Sequence, residues 1–143
     1  MQTPATLKGV IAISPLLVDN TTATAIAIDT MGFNYALIQF IFGAGANSVT
    51  VLKLQECETS GGSYADITGS AFTGADLPSA TDDNQIWNWN VKLGNGRMRF
   101  IKVVATLADE STGTNVAAIA NLGMAEESPW DATTQGASYL ISL

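Results

Sequence analysis

The sequence predicts an all-β protein: one β-sandwich, of jelly-roll or immunoglobulin-like kind, with an N-terminal arm. Three observations lead there. Several segments alternate apolar and polar residues with a period of two, the pattern of a strand buried on one face. Clusters of Gly, Ser, Asn and Asp separate these segments, where a chain has to turn. No stretch longer than about ten residues keeps a helical period of 3.6.

Residues 1–18 read as an N-terminal arm or first strand, in which Val10, Ile11, Ile13, Leu16, Leu17 and Val18 form an apolar set interrupted by Pro15; residues 19–143 form the sandwich domain. Residues 24–30 alternate, which predicts a strand with Ile26 and Ile28 inward. After a turn at Gly32, residues 35–42 are strongly β, with Ile38, Phe40 and Phe42 inward and Gln39 outward. The stretch from Gly43 to Asn47 predicts the next turn. Residues 49–56 follow with Leu52 and Leu54 inward and Lys53 and Gln55 outward. A Ser60-Gly61-Gly62-Ser63 turn leads to a short strand over 64–68, and residues 69–84 read as the longest loop.

Residues 85–91 carry the clearest alternation: Trp87, Trp89 and Val91 share one face, Asn88 and Asn90 the other. Gly94-Asn95-Gly96 is a hairpin signal, leading into a strand over 99–107. Residues 109–114 make a polar turn before an Ala-rich strand over 115–122, and residues 139–143 suit an edge strand.

The composition narrows the classes of function. With 143 residues the chain fits a single domain that needs neither disulfide nor metal to build a core. Only 13% of the residues are charged, against about 25% in ordinary globular chains. Low charge suits a surface that a partner covers, since interface cores are depleted in charged residues. Thirteen acids against six bases give a net charge of -7. No electropositive footprint for phosphate is available, which argues against nucleic acid and against an anionic membrane as partner. The opening Met1-Gln2-Thr3-Pro4 lacks the basic start and apolar run of a secretory signal. The apolar run 35–42 is too short to span a bilayer. Cys57 is the single cysteine, so an internal disulfide is impossible and synthesis in a reducing cytosol is expected.

Catalytic chemistry finds few side chains to use. Histidine is absent, which removes the commonest general base and neutral metal ligand. Carboxylate pairs remain, at Glu56 with Glu58, Asp82 with Asp83, and Glu126 with Glu127; each falls at a strand end or loop, where acids collect as solvated charge. Asp82-Asp83-Asn84 lacks the spacing and glycine of a calcium loop, and Gly94-Asn95-Gly96 lacks the Lys-Ser/Thr and helix of a phosphate loop. A non-enzymatic protein without metal or cofactor is expected. Trp87 and Trp89 fit the core, whereas Trp130, following Glu126-Glu127-Ser128-Pro129, suits an interface anchor.

Three stretches carry a resemblance. Residues 18–36 run from an acidic strand end to Gly32-Phe33-Asn34-Tyr35-Ala36. Leu52-Lys53-Leu54-Gln55-Glu56 leads through the glycine turn to Tyr64-Ala65-Asp66-Ile67. Residues 77–84 precede a strand, and then an Arg-aromatic-hydrophobic strand from Arg97 to Ala105 and its Ala-rich successor. In this order, over residues 18–122, the chain resembles the head decoration (cement, capsid-stabilising) proteins of tailed bacteriophages. The resemblance implies a β-sandwich or jelly-roll subunit with no active site. Such a subunit is made in the bacterial cytoplasm and sits on the outer capsid surface of the virion. It implies a homo-oligomer, a trimer rather than a dimer, that bridges neighbouring major capsid proteins against the pressure of packaged DNA. Contacts with the capsid or between subunits are expected at Val10, Ile11, Ile13, Leu16, Leu17, Trp130, Tyr139, Leu140 and Ile141. The alternative is a carbohydrate- or host-binding adhesive module of the head or tail, which joint exposure of Trp87 and Trp89 would favour.

Overall fold

The computed structural model describes residues 7–94, 96–110, 112–124 and 137–143. Its strands are β1 (Lys8–Val18), β2 (Ile28–Asp29), β3 (Tyr35–Gly45), β4 (Val49–Cys57), β5 (Ala65–Asp66), β6 (Gln85–Lys92), β7 (Phe100–Leu107), β8 (Thr114–Gly123) and β9 (Tyr139–Ser142). A single 3-10 turn, Gly74–Asp76, interrupts the long loop. Among the described residues no helix is long and apolar enough to cross a membrane.

The pairing is nested. β1 pairs with β8, β2 with β7, β3 with β6 and β4 with β5, all antiparallel. The chain is thus one long hairpin rolled up, and the further pairs β3 with β8 and β4 with β7 weld it into two sheets. The resulting orders, β1-β8-β3-β6-β9 and β2-β7-β4-β5, are those of a jelly roll with one strand added, not of an immunoglobulin-like sandwich. The added strand, β9, runs parallel to β6 and forms one edge of the larger sheet.

The inner faces of the two sheets meet in one core. Ile38, Phe40 and Phe42 of β3, Trp87, Trp89 and Val91 of β6, Leu52 and Leu54 of β4, and Ile101, Val103 and Ala105 of β7 are all buried there. The alanines of β8 have a packing reason. Ala118 and Ala120 stand in register with Phe40 and Ile38, which in turn stand beside Trp87 and Trp89, so small and large residues alternate across one layer. Each indole removes about 200 Å² from water, on the order of 5 kcal/mol. Burying an indole also requires a partner for its N–H. Trp87 Nε1 donates to Asp76 O at 2.8 Å and Trp89 Nε1 to Ser70 O at 2.7 Å, so the 69–84 loop is pinned over the core by these two rings.

Several sequence expectations need correction. Of the two readings of residues 1–18, Lys8–Val18 form a strand rather than an arm, and Pro15 is tolerated because it lies at the sheet edge, in a register shift between Ile13 and Leu16. Residues 24–27 are not strand, and Ile26 is 43% exposed. The register against β7 slips by one residue between Thr22, opposite Thr106, and Ile28, opposite Ile101. The bulge swings the backbone toward β1, where the Ile26 N–H donates to Ala12 O at 2.8 Å. Ile28 is buried as expected.

The predicted Gly43–Asn47 turn starts too early, since β3 runs to Gly45. Its glycines permit close approach to β8: a Cβ on Gly43 would lie 2.9 Å from Asn115 O, and one on Gly45 2.6 Å from Thr114 Cα. Gly94 and Gly96 do not close a hairpin. β6 and β7 belong to different sheets, and the segment is a corner between them, with φ of +90° and +88° at the two glycines and Arg97 N–H bonded to Gly94 O at 3.0 Å. Finally, Asn88 and Asn90 face away from the inter-sheet core yet are buried. β9 makes β6 an interior strand, with Leu140 and Ser142 in register on one side and Gln39 and Leu37 on the other.

Candidate docking face

The two outer faces of the sandwich differ in chemistry. On the four-stranded sheet, Lys53 reaches Asp66 at 2.6 Å, and Arg99 grips Asp29 through Nε and Nη2, both at 2.8 Å. Lys102 stands 4.3 Å from the centre of the Tyr64 ring. The Arg99 guanidinium and the Met31 N–H together hold the Asp29 carboxyl down to about 2. Asp66 is lowered in the same way by hydrogen bonds from Lys53 and Gln55. Exposed pairs of this kind are screened by solvent and contribute little to stability. They mark a solvated side.

The five-stranded sheet presents the opposite surface. Strand alternation and register place Ile11, Ile119, Gln39, Asn88 and Leu140 in one outward row, strand by strand. Gly9, Asn121, Leu37, Asn90 and Ser142 form the next row. Ala117, Ile41 and Ile86 form a third, and Leu17 and Asn115 begin a fourth. None of these positions is ionisable, and the one described charge on this side is Lys92, exposed at the end of β6 opposite Tyr35. Polar character comes from amides, such as Asn121 Nδ2, 3.5 Å from Gln39 Oε1.

Large apolar side chains emerge at the β1–β8 end of this face. Ile11 is 51% exposed, Leu17 61% and Ile119 36%, with Leu7 and Met124 also exposed nearby in sequence. Ile11 and Ile119 are direct cross-strand partners. An exposed cross-strand isoleucine pair on a sheet with so little charge is the kind of surface that proteins cover.

The expected contact residues separate into three groups. Ile11 and Leu17 lie on the exposed face, and Leu140 is on the same face but half-buried. Val10, Leu16, Tyr139 and Ile141 pack against the core, Tyr139 stacked on Trp87 at 5.4 Å, and Ile13 is fully buried within it. Ile13 has no surface, and the other four are partly buried with their inward sides on the core. Trp130 lies outside the described residues. Ile119 was the residue that sequence reasoning missed. Its signal was present: in 115–122 it is the one large apolar side chain on the parity opposite Val116, Ala118, Ala120 and Leu122.

Of the described carboxylates considered for chemistry, Glu58 is exposed, and Glu56, Asp82 and Asp83 are engaged with turns. Glu56 accepts the Met98 N–H at 3.0 Å and lies 3.5 Å from Arg97. Asp82 accepts from Ser79 N at 2.9 Å and Ser79 Oγ at 2.8 Å, and Asp83 lies 3.4 Å from Gly45 N. Glu126 and Glu127 lie outside the described residues. A shallow cavity of about 260 Å³ opens between Thr68, Lys92, Gly94, Arg97 and Leu143, at the charged corner. Trp87 and Trp89 are 0% exposed, so neither offers a ring to a sugar and that motive for an adhesive module falls away. Comparison of the chain with protein-family models, with curated proteins and with solved structures finds no match. The likeness to phage decoration proteins therefore rests on the sequence stretches alone.

Proposed function

We propose that the chain is a structural subunit of a bacteriophage virion, a decoration protein that binds the outer surface of the head and bridges neighbouring major capsid proteins. The observation that carries this reading is the chemical asymmetry of the jelly roll. One outer face is charged and solvated, and the other, among the described residues, is charged only at Lys92, with Ile11, Leu17 and Ile119 exposed at the far edge. A molecule of net charge -7 whose larger sheet carries, among the described outward positions, a single charged side chain, Lys92 at one end, is suited to lie against a protein lattice on that side.

The mechanism is mechanical. A rigid sandwich seated across two capsid subunits buries apolar area on both, and each contact makes the second effectively intramolecular. Separating the capsid subunits then means exposing that area again, which opposes expansion. The negative charge disfavours a position inside the head, against DNA. Cryo-EM of purified virions, with mass spectrometry to count the chain, tests the reading. Density for the chain on the outer capsid is the expected result; density in the tail, or absence from mature heads, overturns it.

A further inference from the structure

We infer that the shallow cavity between Lys92 and Arg97 takes an acidic side chain of the protein lattice on which this molecule lies, as the orienting contact of the docking face. The inference rests on the reading of that face as a docking surface, and it names the chemistry that meets one end of it.

The chain holds six bases against thirteen acids, and half of the bases are already engaged within it. Lys53 is paired with Asp66, Arg99 with Asp29, and Lys102 stands over the Tyr64 ring. Lys92 and Arg97 instead line one cavity of about 260 Å³, whose walls Thr68, Gly94 and Leu143 complete. Among the described side chains, Glu56 is the one carboxylate within ion-pair distance of either, 3.5 Å from Arg97 Nε, and it is only 10% exposed. Glu56 also accepts the Met98 N–H at 3.0 Å, so it holds Arg97 from the buried side. The terminal guanidinium nitrogens and Lys92 Nζ have no partner among the described residues. The Arg97 main chain is fixed as well, its N–H bonded to Gly94 O at 3.0 Å across the corner. A guanidinium oriented in this way presents a planar fork that matches a carboxylate, and it loses less freedom on pairing. The volume is below the about 300–1,000 Å³ of sites for whole small molecules, and it suits the tip of one side chain.

Position ties the cavity to the docking face. Lys92 continues the outward parity of Asn88 and Asn90 along β6. Ile119 shares a row with Asn88, so Lys92 lies two strand spacings across from it and four residues along, about 16 Å away. A standard interface of about 800 Å² per partner is roughly 30 Å across, and one protein surface therefore reaches both. The apolar residues at the β1–β8 edge supply area without direction. A charge accepted at the opposite end fixes which way the molecule lies. The occupant is a carboxylate because a molecule of net charge -7 meets acids favourably only where its bases gather.

Co-sedimentation of the full chain with purified capsids that lack it, at about 0.05 and about 0.5 M salt, tests this. Lys92→Gln is expected to raise the dissociation constant about three- to tenfold at low salt and by less at high salt, and Lys92→Glu to raise it further. Thr68→Glu, at an exposed position on the cavity wall, fills the cavity with a carboxylate of the chain's own and weakens binding in the same way. Lys53→Gln makes the same change in net charge on the other sheet and leaves binding as it is. Tm stays unchanged in the Lys92 and Thr68 variants. Wild-type binding by the Lys92 variants, an equal loss in Lys53→Gln, or a loss that grows with salt overturns the inference. So does a fall in Tm of several degrees in Lys92→Gln, which would mean that the ammonium is already spent inside the molecule, beside Leu143, whose O accepts the Lys92 N–H. Ile119→Lys separates this contact from the function it rests on. Capsid binding that Ile119→Lys abolishes and Lys92→Gln leaves whole keeps the docking face without this contact. A wild type with no affinity for capsids removes the proposed function, and this contact with it.

Discussion

Gly45→Ala is the sharpest probe of the fold, because the space for one methyl group can be stated atom by atom. Gly45 ends β3 beside Thr114, the first residue of β8. A Cβ there would lie 2.6 Å from Thr114 Cα and 2.7 Å from Thr114 Cβ, and against its hydroxyl. That hydroxyl is committed: it accepts the Asn47 N–H at 2.9 Å and donates to Asn47 O at 3.2 Å. The Asn47 side chain in turn donates to Asp19 Oδ1 and Ala108 O, at 2.5 and 2.6 Å. One methyl therefore strains the knot joining the end of β1, the β3–β4 turn and the β7–β8 loop. Overpacking costs about 1–3 kcal/mol, and loosening the two Thr114 hydrogen bonds adds about 1–3 kcal/mol. The restricted unfolded chain returns up to about 1 kcal/mol, leaving a net loss of about 1–6 kcal/mol. With a urea m-value of about 2 kcal/mol/M, the midpoint falls by about 0.5–3 M. Gly61→Ala is the control, because nothing lies within 4 Å of its added Cβ; its midpoint stays within about 0.3 M of wild type. A Gly45→Ala midpoint as close to wild type as the control's would refute the close-approach account of β3 and β8.

Other outcomes follow from single contacts. Because Asp29 is held at about 2, below its ordinary 3.8, its ion pair with Arg99 supports the fold above the ordinary value. That support is lost as pH falls through the interval between them. Urea midpoints measured down to pH 2 should show Arg99→Gln losing less over that interval than wild type, and parallel curves would count against it. Trp89→Phe deprives Ser70 O of its indole donor and leaves space beside Phe72. A loss of about 2–4 kcal/mol is expected in denaturant unfolding, and a neutral result would mean that this hydrogen bond does not hold the loop. The Cys57 thiol is buried, so a thiol reagent should label the native chain only as fast as it opens, and labelling as rapid as in urea would contradict that burial.

Much of the sandwich was legible because its central strands alternate strictly. The inward sets Ile38-Phe40-Phe42, Leu52-Leu54 and Trp87-Trp89-Val91 are all found in the core. What alternation could not convey were features created by strands distant in sequence. Ile26 has the parity of an inward residue, but one extra residue opposite β7 turns it out. Asn88 and Asn90 have the composition of a wet face, yet both are buried on a strand that β9 flanks from some fifty residues later. Gly94 and Gly96 carry a hairpin's chemistry, yet both flanking strands are claimed by other partners. The docking face was hidden for the same reason. Ile11 and Leu17 were among the expected contacts, but Ile119 becomes their neighbour only when β1 and β8 pair. The scarcity of charge on this face, where Lys92 is the one described exception, is a property of the sheet and not of any one segment.

The nested pairing has a consequence for the order of assembly during synthesis. β4 and β5 leave the ribosome close together and can pair at once, whereas Lys8 of β1 must wait for Leu122 of β8. At about 5–20 residues per second, the intervening hundred or so residues take on the order of 5–20 s. Throughout that interval Val10, Ile11, Ile13, Leu16 and Leu17 have no sheet to join. The antiparallel partners become available from the innermost hairpin outward, and among these nested pairs the first strand translated waits longest for its partner. Pro15 and the irregular spacing of β1 then act earlier than in the finished molecule, keeping a nascent apolar strand from pairing with the same segment of a neighbouring chain on the polysome.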